Sequence, residues 1–177
     1  MKRLYSTILV LAAIAATASS APAQSTKPVS LGISVGAAIP VSDLANDYST
    51  GYNGTISLGF NSTGSPLGLR IDGMYNSMSP KSGVDLPDIK ISSANANLVY
   101  ALPGTGIRPY LIGGAGVYGL KSDFNGSSTL TKLGLNGGIG ASFPLSSFNT
   151  FVEARYHHVF SDNVATQFIP VTFGISF

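Results

Sequence analysis

The stretch Gln167-Phe168-Ile169-Pro170-Val171-Thr172-Phe173-Gly174-Ile175-Ser176-Phe177 alternates with a period of two. Ile169, Val171, Phe173, Ile175 and Phe177 form one continuously apolar face, while Phe168, Pro170, Thr172, Gly174 and Ser176 form a second, mostly small or polar one. Successive side chains of a strand point to opposite sides, so this is a strand with one face built for an apolar medium. In water, a bare apolar strand at a chain end tends to fray. In hydrocarbon every backbone polar group must be satisfied within the protein, and strands meet that demand by closing into a barrel in which the last strand pairs with the first.

Seven earlier blocks repeat the pattern, separated by clusters of turn residues. The first runs from Val29 to Ile39, with Val29, Leu31, Ile33, Val35, Ala37 and Ile39 opposite Ser30, Gly32, Ser34 and Gly36. The second spans about 52–60 and sets Tyr52, Ile56, Leu58 and Phe60 against Asn53, Thr55, Ser57 and Gly59. The third, 67–76, sets Leu67, Leu69, Ile71 and Tyr75 against Arg70, Asp72, Met74 and Asn76. The fourth covers about 89–102 and the fifth about 108–118. The fifth leaves two outer sets open, Tyr110/Ile112/Tyr118 or Leu111/Val117. The sixth, about 130–143, sets Leu133, Leu135, Ile139, Ala141 and Phe143 against Gly134, Asn136, Gly138, Gly140 and Ser142; the seventh is about 150–160 and the eighth 167–177. The blocks predict an all-β fold: an eight-stranded antiparallel up-and-down transmembrane β-barrel. No apolar run is long enough for a transmembrane helix.

The connections run long, short, long, short, long, short, medium along the chain. Outer-membrane barrels keep short turns on the periplasmic side and longer loops outside. The short second, fourth and sixth connections therefore predict that both ends of the barrel sequence face the periplasm.

Charge fixes the register. Arg70 and Asp72 alternate with Leu69 and Ile71, and Glu153 and Arg155 alternate with Val152, Ala154 and Tyr156. A one-residue slip would turn both pairs into lipid, where an Arg at the midplane costs about 2–4 kcal/mol. Inside a narrow barrel such charges have to be paired, so Arg70, Asp72, Glu153 and Arg155 are expected to form one lumen network. A soluble lipocalin-like barrel would show the reverse pattern, polar outside and apolar inside.

The N-terminus reads as a secretory signal. Lys2 and Arg3 precede a short apolar run to about Ala16, and Ala21-Pro22-Ala23 offers a small-x-small cleavage site. Two units follow: residues 1–23, a cleaved signal peptide, and residues 24–177, an outer-membrane β-barrel domain. The chain has no cysteine, which removes disulfides and a lipoprotein anchor. Taking Lys2 and Arg3 from the ten basic residues leaves eight, against eight acidic ones. A neutral mature chain gives no reason to expect a nucleic-acid partner.

The signal, the eight blocks, the segment Phe151-Val152-Glu153-Ala154-Arg155-Tyr156 and the terminal Gly174-Ile175-Ser176-Phe177 together resemble the small OmpA/OmpX-type outer-membrane β-barrels of Gram-negative bacteria. The resemblance spans residues 24–177. It implies location in the outer membrane, contact with outer-membrane lipid, and a non-enzymatic structural or adhesion-type role. It also implies that the alternating terminal residues Phe173, Ile175 and Phe177 are read by the barrel-assembly machinery. A monomer without cofactors is expected. A small, porin-like pore is the alternative, because Gly and Ser on the inner face leave room.

A lipid-modifying hydrolase is a further alternative. The two histidines, His157 and His158, precede Ser161 and Asp162, but a base must lie within about 2.6–3.2 Å of its nucleophile. Along a strand, His157 and Ser161 are too far apart, and His158 and Ser161 face opposite ways. The His-x-Ser-Asn pattern of barrel deacylases is not matched. Instead His157 is expected to top the lumen network and His158 to sit in the interfacial band. A metal site from His157, His158 and Asp162 fails because adjacent strand residues diverge. Gly113-Gly114-Ala115-Gly116 lacks the Lys-Ser/Thr and the helix of a phosphate loop. Catalytic, cofactor-binding and metal residues are therefore expected to be none. Tyr52, Tyr75, Tyr100 and Tyr156 are expected at the membrane interfaces.

Overall fold

In the computed structural model the described residues are 28–177 other than 63, 105, 123–128, 146 and 162–164. The proposed signal peptide and Asp162 lie outside them. Eight strands follow one another: β1 (Val29–Pro40), β2 (Gly51–Asn61), β3 (Leu67–Met78), β4 (Ile89–Ala101), β5 (Arg108–Ser122), β6 (Leu130–Pro144), β7 (Asn149–Val159) and β8 (Thr166–Ser176). Each pairs antiparallel with its sequence neighbours, and β8 pairs back onto β1, so the barrel is closed. With 11–15 residues, the strands reach the about 9–11 residues that a tilted spanning strand needs.

The alternation becomes an inside-out protein. Val29, Leu31, Ile33 and Val35 on β1 are exposed, as are Leu133, Leu135 and Ile139 on β6, while Asn53, Asp72, Asn95 and Asn97 are buried. A polar inside and apolar outside minimise cost only where the surrounding medium is hydrocarbon. On β5 the open choice resolves: Leu111 and Val117 face out, and Tyr110, Ile112 and Tyr118 are buried inside. That strand also continues through Gly119–Ser122, beyond the end that the sequence pattern predicts. Leu120 and Lys121 extend the alternation there, whereas Gly119 by itself reads as a turn signal.

The β7–β8 ladder has one gap. Pairing runs from Asn149↔Ser176 to Ala154↔Val171 and resumes at His157↔Phe168. Pro170 lies within the gap, and its missing N–H removes a rung.

The end of β2, the start of β3, the end of β4, the start of β5, the end of β6 and the start of β7 lie at one end of the barrel with the start of β1 and the end of β8, and the 41–50 and 79–88 loops lie at the other, with the end of β5, the start of β6, the end of β7 and the start of β8. By the loop-length rule the second end is extracellular. There α1 (Leu44–Asp47) and Tyr48 fold over the barrel mouth. The 41–50 and 79–88 loops are joined by a Tyr48↔Pro80 bridge, a Tyr48 hydroxyl bond to the Pro87 carbonyl (3.2 Å) and the Lys81 N–H to the Asp47 carbonyl (2.8 Å). Burial, and then the Asp47 and Asp88 charges, raise the Tyr48 phenol pKa, which keeps that hydroxyl a donor.

Candidate functional site: the barrel lumen

From the periplasmic end the lumen begins as a vestibule of about 490 Å³. Its wall includes Ser30, Ser57, Asn61, Ser142 and Phe151, and Arg70 and Tyr110 bound it.

A layer of charge lies against it. Arg70 Nε and Nη2 meet the Asp72 carboxylate at 2.9 and 3.2 Å, and Nη2 reaches Glu153 at 2.8 Å. Arg155 Nη1 meets Asp72 at 2.7 Å, and its Nε meets Glu153 at 2.9 Å. Each guanidinium thus touches both carboxylates, and the four formal charges cancel. The Tyr110 hydroxyl donates to Glu153 at 2.7 Å and the Asn97 amide to Asp72 at 2.9 Å. β3 and β7 lie far apart around the barrel, so long Arg side chains are needed to bridge it. Such a ring is tolerable in a low-dielectric interior because no charge is left alone.

Glycines make room for this layer. The Tyr110 ring lies over Gly140, its direct partner on β6, and takes the space a Cβ would occupy. Asn97 is pressed in the same way against Gly114. The run that fails as a phosphate loop therefore allows close packing of side chains against β5.

Toward the extracellular end, polar residues give way to an apolar plug. Ala38, Met74, Met78, Ile91, Tyr118, Val159 and Phe168 form a buried cluster, with Leu44, Tyr48, Ile89 and Leu120 packed against it. His157 sits at its base: Nδ1 lies 2.8 Å from the Tyr118 hydroxyl, and the ring stacks on Phe168 at 4.9 Å. His157 is the next inward position of β7 beyond Arg155, on the plug side of the charged layer. It bonds to the plug, because Tyr118 and Phe168 flank it. Sequence reasoning misses the plug; its signal is the set of apolar residues on inward positions near the loop ends of their strands.

Each anticipated site residue can be placed. Arg70, Asp72, Glu153 and Arg155 come together in the lumen. Phe173 is exposed on the outer face of β8, Ile175 half-buried there, and Phe177 follows, exposed, with its ring 6.1 Å from Phe148. Phe177 exchanges backbone bonds with Leu31 of β1 at 2.8 and 3.1 Å. Tyr52, Tyr75 and Tyr156 are exposed outside, and the first two rings lie 6.3 Å apart. His157 and His158 point to opposite sides, one buried in the lumen and the other outside against Tyr156 and Phe160. Among the described residues no group of three or more His, Asp or Glu is arranged for a metal.

A closed antiparallel barrel with a lipid-compatible outside and a charged inside defines a membrane-spanning barrel of the outer-membrane type. The sequence matches the family model of the outer membrane protein beta-barrel domain over residues 8–177, and the chain belongs to that family. Its place is the outer membrane. Among solved structures it is similar to Neisserial surface protein A, with a TM-score of 0.70 at 19% identity over 85% of this chain and 96% of that one. It is also similar to the Yersinia pestis outer membrane protein Ail in a nanodisc (TM-score 0.51, 21% identity, 84% and 99% covered). A third is a major outer membrane protein of Thermus thermophilus (0.52, 11%, 85% and 99%). These likenesses concern the fold. No curated protein sequence matches the chain.

Proposed function

We propose that the protein is a non-enzymatic, non-conducting barrel that holds its extracellular loops at the cell surface for a structural or adhesion-type role. One observation carries the reading: the lumen is filled twice in series, by the charged layer and then by the plug. Asp72 and Phe168 both have no exposed surface. Eight strands leave an interior about wide enough for side chains to fill. The joined 41–50 and 79–88 loops present a fixed outer surface, consistent with the name of the similar Neisserial surface protein. Planar-bilayer recording tests the reading. The expected trace has no steady current above the lipid baseline; an ohmic current at low voltage would favour the pore.

The outer face of β8 supports a second role, in assembly. Phe173, Ile175 and Phe177 offer an alternating apolar edge to the barrel-assembly machinery, and the protein enters the membrane as a monomer. Phe177→Ala leaves the backbone bonds to Leu31 available. Refolding into detergent is therefore expected to match the wild type while the amount in the outer membrane falls. Equal membrane levels would remove the assembly role from Phe177.

A further inference from the structure

The two ends of the lumen are built differently. At the extracellular end Met78, Ile91, Tyr118 and Phe168 fill it. At the periplasmic end small residues leave the vestibule hollow, and the register explains how. Ser30 lies opposite Gly59, Ser57 opposite Gly32, and Phe151 opposite Gly174. The two serine hydroxyls and the tip of the Phe151 ring each take the space where a Cβ on the opposite glycine would stand. These side chains therefore lie along the wall rather than across the axis. Eight strands leave an interior that side chains can fill, so a hollow of about 490 Å³ gives up contacts that larger residues would supply.

The hollow has the size of a small-molecule site, about 300–1,000 Å³. Its lining says what it can hold. Arg70 and Arg108 are the charged residues there, and each has a partner of its own. The Tyr110 hydroxyl is committed to Glu153. A charged solute would have to compete for groups that are already engaged. What remains open is hydroxyl. Ser30, Ser57, Ser142 and Ser176 line the hollow, and among the described residues none of these four side chains has a hydrogen-bond partner. A hydroxyl both donates and accepts. Four of them around one space match a solute that is itself rich in hydroxyls, and Phe151 offers that solute one apolar side.

We propose that the vestibule binds a neutral sugar of one or two rings, held by the Ser30, Ser57, Ser142 and Ser176 hydroxyls and packed against Phe151. The loop-length rule opens the site to the periplasm.

Saturation-transfer NMR tests this, on the folded protein in lauryldimethylamine-oxide micelles, whose head groups carry no sugar. The probes are glucose, N-acetylglucosamine and maltose, with glucuronate as the anionic comparison. The wild type is expected to give saturable transfer to at least one neutral probe and a weaker signal with glucuronate. Ser30→Ala/Ser57→Ala removes two hydroxyls without filling the space. It should weaken binding of that probe about tenfold, the effect of losing two neutral hydrogen bonds. Ser142→Phe fills the hollow and should abolish the saturable signal. Lys81→Gln, in an extracellular loop, should leave it unchanged. Heat-modifiable migration identifies the folded form of each variant, and the alanine variant decides alone if Ser142→Phe does not fold. The proposal is overturned by no saturable transfer to any neutral probe, or by undiminished binding in the folded vestibule variants. Glucuronate binding as well as the neutral probes, or an equal loss in Lys81→Gln, overturns it too.

Discussion

Asp72→Ala is expected to lower the stability of the folded barrel by about 3–5 kcal/mol, the cost of leaving a buried charge without its partner. Asp72 has no exposed surface and accepts from Arg70, Arg155 and Asn97. Its loss leaves two guanidiniums facing one carboxylate, Glu153, and Arg155 is buried away from water, although Arg70 borders the vestibule. Asp72→Asn keeps the shape but not the charge, so it should lose nearly as much. Asp72→Ala/Arg155→Met restores neutrality around the remaining 2.8 Å Arg70–Glu153 pair. Its loss should fall short of the sum of the single losses by about 0.5–3 kcal/mol, as coupled neighbours do. The chain has no tryptophan, so the measurement is a urea titration read by the gel shift between folded and unfolded barrel. A midpoint for Asp72→Ala equal to that of the wild type would mean that the ring contributes nothing to stability.

The fold was legible because two independent patterns agree. Alternation marks eight strands, and Arg70, Asp72, Glu153 and Arg155 fix which face of two of them points inward. A charge has one tolerable side in a lipid-embedded wall, so it carries more register information than a leucine, which suits either lipid or a packed interior. β5 illustrates the limit. Tyr110, Ile112 and Tyr118 look as lipid-facing as Leu111 and Val117, and β5 has no central charge to decide. What places the tyrosines inside are partners on other strands, Glu153 for Tyr110 and His157 for Tyr118, and no local pattern contains them. The plug escapes for the same reason. Alternation assigns a face but not a height, and Met74, Met78, Ile91 and Phe168 become a cluster only when the register aligns the loop ends of their strands.

The plug predicts a second large effect: Phe168→Ala should cost about 3–5 kcal/mol, the range for truncating a buried aromatic. The ring is fully enclosed, stacks on His157 and packs among Ala38, Tyr118 and Val159. These neighbours belong to strands pinned by barrel closure, so they cannot move in to fill the gap, and the cavity adds to the lost transfer energy. Leu133→Ala is the contrasting variant. Leu133 is 67% exposed on the outer wall, where mobile lipid tails take the vacated space, so its loss should contain the transfer part without the cavity part. The same urea titration in one lipid ranks the two, and a smaller loss for Phe168→Ala than for Leu133→Ala would show that the extracellular end is loosely packed. Phe168→Ala should still pass no steady current, because the Arg70, Asp72, Glu153 and Arg155 layer lies in series with the plug and closes the lumen by itself. A current in Phe168→Ala, with none in the wild type, would instead make the plug the sole barrier and the charged layer permeable.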